Sequence, residues 1–185
     1  MSLYQDKYRI ESTRLRGWDY GSRGWYFVTI CAQSHAHIFG EVENGAVQLS
    51  PIGQIAESEV QELSHHYHNV QIDEHVVMPN HLHAIVMIDG MHCFSPRAKM
   101  GPPVNDTAGF VSPAAGSLSA IIRSYKAGVT RRCREHGLKH VIWQSRFHDH
   151  LLRGDAVINA VRDYIRNNPT NWRVEKDNQF WLPRP

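Results

Sequence analysis

Long apolar runs and paired cysteines are both missing from this sequence. No apolar run approaches the roughly 18 residues of a membrane span, and the N-terminal stretch MSLYQDKYRI has no apolar signal region. The three cysteines, Cys31, Cys93 and Cys133, are far apart and form no CxxC pair, which argues against a disulfide framework or a zinc knuckle. No GxxxxGK(S/T) phosphate loop occurs. We therefore expect a cytoplasmic protein with reduced cysteines, no membrane partner and no nucleotide cofactor.

Positive charge is absent from one part of the chain and concentrated in another. Residues 51–90 contain six Asp and Glu and no Lys or Arg, whereas residues 91–185 contain fifteen Lys and Arg against seven Asp and Glu. The formal net charge of the whole chain is only +2. Such asymmetry favours one surface that faces nucleic acid, because clustered cations contact phosphates. The candidate contacts lie in a basic N-terminal arm and in a helix after Ser117: Arg14, Arg16, Arg23, Arg123, Lys126 and Arg131.

The 185 residues, 42% of them hydrophobic, suit one globular domain. We assign residues 1–24 to the arm, 25–172 to the domain, 89–116 to a flexible insertion within it, and 173–185 to a tail. Apolar periodicity and turn residues predict the following elements in order: a strand at 25–31, a hairpin at 39–49, a helix from Pro51, strands at 70–77 and 82–88, a helix after Ser117, a strand at 143–152, and a helix at 155–167 ended by Pro169. This order predicts an α+β domain with a largely antiparallel sheet and helices over one face.

Two His-x-His pairs occur in strand-like sequence, His81 with His83 and His148 with His150. Since strand side chains alternate between faces, the two imidazoles of each pair point the same way. Two neutral imidazoles and a third ligand can hold a divalent ion that remains open to a substrate oxygen. Spacing alone does not choose between the two pairs.

Tyr164 and Asn168 lie four residues apart in the last predicted helix, so they share one face of it. With an ordinary pKa of about 10, a tyrosine is a weak nucleophile at neutral pH. A metal ion bound to the attacked phosphate would help it by neutralising charge. The histidine pair, the tyrosine and the amide are therefore candidates for one site.

Three segments occur in order over most of residues 25–172: MPNHLH at 78–83, WQSRF at 143–147 before a strand, and DYIRNNP at 163–169. In this combination the chain resembles the REP-associated tyrosine transposases, which belong to the HUH single-strand nucleases. The resemblance implies a ferredoxin-like HUH fold. It also implies that Tyr164 attacks a DNA phosphate, and that His81, His83 and Asn168 hold Mg²⁺ or Mn²⁺.

The same resemblance selects His81 and His83 over the second pair, because the MPN turn directly precedes them; His150 becomes a supporting residue near the site. The implied substrate is single-stranded, hairpin-forming DNA, cut and rejoined through a covalent phosphotyrosine. Three alternatives stay open: a replication initiator or relaxase with similar chemistry, a DNA-binding protein that does not cut, and a metallohydrolase that uses water. The sequence does not decide between a monomer and a dimer.

Overall fold

The computed structural model describes residues 18–90, 114–138 and 143–175, together with the backbone of two short N-terminal strands. The elements are β1 (Leu3–Tyr4), β2 (Tyr8–Arg9), β3 (Gly24–Cys31), a 3₁₀ turn (Gln33–His35), β4 (Gly40–Glu43), β5 (Ala46–Leu49), α1 (Pro51–His66), β6 (Val70–Met78), β7 (His81–Ile88), α2 (Leu118–Glu135), β8 (His148–Leu152) and α3 (Asp155–Glu175). Within these ranges, no helix combines the length and apolar composition that a membrane crossing needs. Most of the predicted insertion, residues 91–113, lies outside the described residues, as do Arg14 and Arg16.

Four strands form the central sheet, in the order β6-β7-β3-β8, and all neighbouring pairs are antiparallel. The chain passes from β3 through α1 to β6, turns directly into β7, and passes through α2 to β8. This β-α-β-β-α-β order with two interleaved crossovers is the ferredoxin-like arrangement. The expected α+β class and antiparallel sheet are confirmed.

Local signals set most element boundaries where the sequence predicts them. The hydroxyl of Ser50 accepts a hydrogen bond from the Gly53 amide at 3.1 Å, and Pro51 occupies the first turn of α1. Asn44 and Gly45 both have positive φ, as a two-residue hairpin turn requires. The final strand is shorter than predicted, because Trp143 makes only an isolated bridge with Ala32.

The two faces of the sheet carry different layers. On one, the α1/α2 face, side chains such as Tyr26 and Val28 pack against both of those helices. On the other, the α3 face, Phe27 and Ile85 pack against Ile165 and its helical neighbours. The expectation that all helices cover one face is therefore wrong for α3. The physical reason is that β3 and β7 are central strands, with apolar residues to bury on both sides.

Helix α3 continues to Glu175 with Pro169 inside it, so the expectation that Pro169 ends the helix is wrong. A proline within a helix forfeits one backbone hydrogen bond. In this helix the turn after the proline carries Trp172, which is only 9% exposed and lies against the rings of His37 and His81. Burial of this large side chain favours continuation of the helix and outweighs the local preference.

Candidate metal and nucleophile site

His81 and His83 begin β7 directly after the turn at Pro79 and Asn80, and both point to the α3 face. Their ring centroids are 4.4 Å apart. His81 Nδ1 lies 2.6 Å from Asn80 Oδ1, and His83 Nδ1 lies 2.9 Å from Thr29 Oγ1. With each Nδ1 protonated and donating to these oxygens, both rings keep a lone pair on Nε2. In metal sites, a hydrogen bond to the ring nitrogen that does not bind the metal fixes the tautomer of a histidine in the same way.

Burial keeps both imidazoles neutral. Desolvation lowers the pKa of His81 to about 3, with a smaller contribution from the nearby His35. It also lowers the pKa of His83 well below the ordinary value, helped by His81. Neutral rings retain the lone pairs that coordination requires.

Tyr164 reaches the histidine pair from α3. Its Oη lies 3.3 Å from His83 Nε2, and its ring meets Phe27 edge-on at 6.0 Å. Asn168 is one turn further along and only 1% exposed, and Trp172 is another turn on, against His81. Since these three residues recur at helical spacing, Asn168 lies on the stripe that faces the two histidines.

The donors gathered here suit a divalent ion. His81 Nε2 is buried and has no hydrogen-bond partner among the described residues, a costly state for a polar atom unless something binds it. Among the same residues, no cluster of three or more His, Cys, Asp or Glu could hold a metal ion. The buried amide of Asn168 is the predicted third donor, and this role stays a prediction. Two imidazoles and one neutral oxygen suit manganese better than magnesium.

The second histidine pair lies on the same face, but one strand further away. Thr29 on β3 is the cross-strand neighbour of both His83 and His148, and Phe27 is the neighbour of His150. His148 is half-buried and His150 is exposed. Burial and the neighbouring His150 lower the pKa of His148. The structure thus places His150 near the site without bringing it into contact with His81 or His83.

Two ion pairs fix α3 against the sheet on the side of β6. A bulge between Ile72 and His75 turns two carboxylates toward the helix. Arg162 makes a bidentate contact with Asp73, with both distances 2.7 Å. Arg166 Nε lies 2.8 Å from a carboxylate oxygen of Glu74. These arginines lie two residues before and two residues after Tyr164, so we expect their contacts with β6 to help orient the helix that carries it.

The cations predicted to contact nucleic acid occupy several places. Arg23 is exposed and pairs with Asp89 at 3.3 Å. Arg123 is exposed on α2, and Arg131 is 3.8 Å from Glu135. These α2 residues belong to the helix on the face opposite Tyr164, and their contact with nucleic acid stays a prediction.

Lys126 is held within the protein. Its Nζ donates to the carbonyl oxygens of Gln144 at 2.7 Å and Arg146 at 3.0 Å. Burial lowers its pKa to about 8. Its visible role is to hold the loop before β8, and direct contact with DNA is untested.

Sequence reasoning missed Thr29, Asn80 and the acidic bulge. Asn80 lies inside the MPNHLH segment, so the motif contained a signal for it. Thr29 is an ordinary strand residue in sequence, and only the register of β3 against β7 brings it to His83. Nothing local marks Asp73 as a partner of Arg162, since 89 positions separate them.

Comparisons with known proteins place this chain in a family and a fold. No family model matches it. It is 31% identical over 167 residues to an uncharacterised protein of Haemophilus influenzae, covering 89% of this chain and 91% of that protein. The chain belongs to the family of this Haemophilus protein.

A solved structure of a REP-associated tyrosine transposase bound to a REP hairpin shares the fold. The TM-score is 0.56 and the identity 20%, over 87% of this chain and 74% of that one. The resemblance seen in the sequence motifs is thereby confirmed at the level of the fold.

Proposed function

We propose that this protein is a metal-dependent, single-tyrosine DNA transposase or endonuclease that acts on single-stranded, hairpin-forming DNA. The observation that carries the proposal is the 3.3 Å approach of Tyr164 Oη to His83 Nε2. A phenol, two neutral imidazoles and a buried amide lie together on one face, and packing alone does not require such a set of polar groups. The shared fold with a transposase that was solved with a REP hairpin supports a DNA substrate.

The chain's own residues would divide the work as follows. Tyr164 Oη loses its proton, attacks the phosphorus and forms a new P–O bond. The bond from phosphorus to the sugar 3′ oxygen breaks, and that oxygen takes up a proton to become a 3′-hydroxyl. One phosphodiester replaces another, so the free hydroxyl or a second DNA end can reverse the step. The helix position of Tyr164 and its edge contact with Phe27 hold the phenol in place.

His81, His83 and Asn168 would hold the divalent ion. Bound there, the ion would supply charge neutralisation and orientation of the scissile phosphate for in-line attack. Thr29 and Asn80 would fix the two imidazoles from behind, so that Nε2 of each faces the ion.

A cleavage assay tests the proposal. A labelled panel of genomic hairpins with single-stranded flanks is incubated with the protein and Mn²⁺, beside fully paired duplexes of the same sequence. We expect cutting of single-stranded flanks and little cutting of duplex, because a stiff duplex resists bending a phosphate into a site beneath α3. Equal cutting of both would reject the mechanism. Metal-dependent cutting without a covalent protein–DNA product would indicate a water nucleophile, and binding without cutting would indicate a DNA-binding protein.

A further inference from the structure

The second histidine pair lies beside the nucleophile on an exposed margin of the sheet. In the described part of the chain, β8 pairs with β3 alone, so it forms one edge of the sheet. His148 and His150 face the same side as Tyr164, across Thr29 and Phe27. Neighbouring strands are about 4.8 Å apart, so this pair begins one strand beyond the residues that contact His83 and Tyr164.

The opposite margin of the sheet is covered by a helix, and its charges are paired. Helix α3 packs over β6 and β7, and Asp73 and Glu74 on β6 bind its two arginines. A DNA strand that left Tyr164 in this direction would meet the helix. The two arginines there have less to offer a phosphate, because carboxylates already neutralise their charge.

The margin at β8 has the opposite character. Arg146 and His150 are exposed there. The loop that carries Arg146 is held by Lys126, whose ammonium donates to the carbonyl oxygens of Gln144 and Arg146. A cation on a fixed loop loses less freedom when it binds a phosphate than one on a free arm does.

A strained turn follows β3, the strand that lies between the two histidine pairs. Ser34 and His35 have φ values of 53° and 51°, a left-handed conformation that non-glycine residues rarely adopt. His35 is exposed, and it follows the end of β3 that pairs with the start of β7. Backbone strain of this kind clusters at functional positions.

We propose that His35, Arg146, His148 and His150, together the β8 patch, bind backbone phosphates of the single strand that flanks the scissile phosphate. DNA then leaves Tyr164 over β8 and not over β6. Imidazole and guanidinium N–H groups donate to phosphate oxygens, which positions a strand without reading its sequence. This inference rests on the proposed function, because it takes Tyr164 as the point of cutting.

A series of oligonucleotides tests it. Single strands are extended one nucleotide at a time on either side of the cut position, and affinity is measured with a chelator present so that nothing is cut. In the unaltered protein we expect affinity to rise with extension on one side. The double variant His148→Ala and His150→Ala should lose that rise, with about tenfold weaker binding of the longest strand, the size of a lost hydrogen bond to a charged group. The matched control is His66→Ala, because His66 is an exposed histidine at the end of α1. This variant should keep the rise in affinity.

Arg146→Ala provides a second, independent variant at an exposed position. Loss of one phosphate contact should make the dependence of affinity on salt shallower by about 0.7 for single strands. An unchanged slope together with an unchanged rise in the double histidine variant would overturn the β8 patch.

The outcomes separate this inference from the proposed function. If the unaltered protein forms a covalent adduct but the variants keep the full rise, the β8 patch is wrong and the chemistry stands. If strands bind with the predicted dependence on the β8 patch but are never cut, the β8 patch is confirmed and the proposed cleavage by Tyr164 is wrong. If no single strand binds, both are wrong.

Discussion

The two faces of the sheet differ in what they bury. On the α1/α2 face, residues such as Ile121, Val129 and Tyr125 pack into a large apolar core, beside which Glu59 and Asp149 are also buried. On the α3 face the apolar cluster is smaller, and next to it lie the buried polar side chains of Thr29, His83 and Asn168. Burying polar groups costs stability unless they are satisfied, so the proposed chemistry would cost this face some stability.

This difference predicts how substitutions on the two faces should affect stability and activity. Changes on the α1/α2 face should lower the free energy of unfolding and leave the activity of each folded molecule intact. Changes on the α3 face should act mainly on activity or metal affinity.

The largest effect should come from the histidine pair. His81→Ala and His83→Ala should each reduce metal-dependent cutting to background, because each removes a proposed ligand, whereas His66→Ala should have no effect. Calorimetric Mn²⁺ titration measures metal binding, and a cleavage assay beside it measures activity. Loss of metal binding in His148→Ala, with His83→Ala intact, would show that the second pair is the metal site.

On the opposite face, Ile121→Ala should lower the free energy of unfolding by about 2–5 kcal/mol, as expected for a buried aliphatic side chain replaced by a smaller one. Ile121 is fully buried. Cutting per folded molecule should stay near normal at low temperature. Val157→Ala is the control, because Val157 is 47% exposed and such changes cost at most about 0.5 kcal/mol. Urea unfolding measures the free energy of unfolding of both variants. A loss of specific activity in folded Ile121→Ala would show that the α1/α2 face also affects activity.

Thr29→Val should weaken Mn²⁺ affinity by about 10–100-fold, the usual cost of losing a residue that orients a ligand. The methyl group cannot accept from His83 Nδ1, so the ring loses its fixed tautomer. Thr29→Ser keeps the hydroxyl and should keep most of the affinity. Calorimetric titration compares the three proteins. If Thr29→Val binds Mn²⁺ as tightly as the unaltered protein, Thr29 has no role in orienting His83.

A smaller effect is expected from the acidic bulge. Asp73→Asn weakens the bidentate contact that fixes the rotation of α3, so we expect cutting to slow by about tenfold through misplacement of Tyr164. The midpoint of thermal unfolding should change little, because partly exposed ion pairs contribute little to stability. Glu135→Gln, which breaks the Arg131 pair on α2, is the matched control. A rate unchanged in Asp73→Asn would show that the helix is held without this contact.

Much of this molecule could be predicted from sequence, and the exceptions have a common cause. Strand alternation and helical spacing were sufficient to place His83 and Tyr164 on defined faces of their elements. Helical spacing would place Glu59 on the outer face of α1, yet it is 7% exposed and lies 3.2 Å from Arg132. Gly128 on α2 leaves the space that this carboxylate occupies. Periodicity describes one element at a time, and this contact joins two.

The course of α3 shows the same limit. Local preference ends the helix at Pro169, but the burial of Trp172 against His81 carries it onward. Likewise, the role of Thr29 depends on strand register and that of Asp73 on a bulge, neither of which a local pattern contains.

The proposed mechanism requires that Tyr164 becomes covalently attached to DNA. The most direct measurement incubates the protein with labelled single-stranded DNA and Mn²⁺, separates the products on a denaturing gel, and maps the adduct by mass spectrometry of the digested protein. We expect an adduct on the peptide that contains Tyr164, and none in Tyr164→Phe, although that variant should bind DNA with nearly normal affinity because it loses one oxygen and little packing surface. An adduct that persists in Tyr164→Phe, or that maps to another residue, would contradict the account.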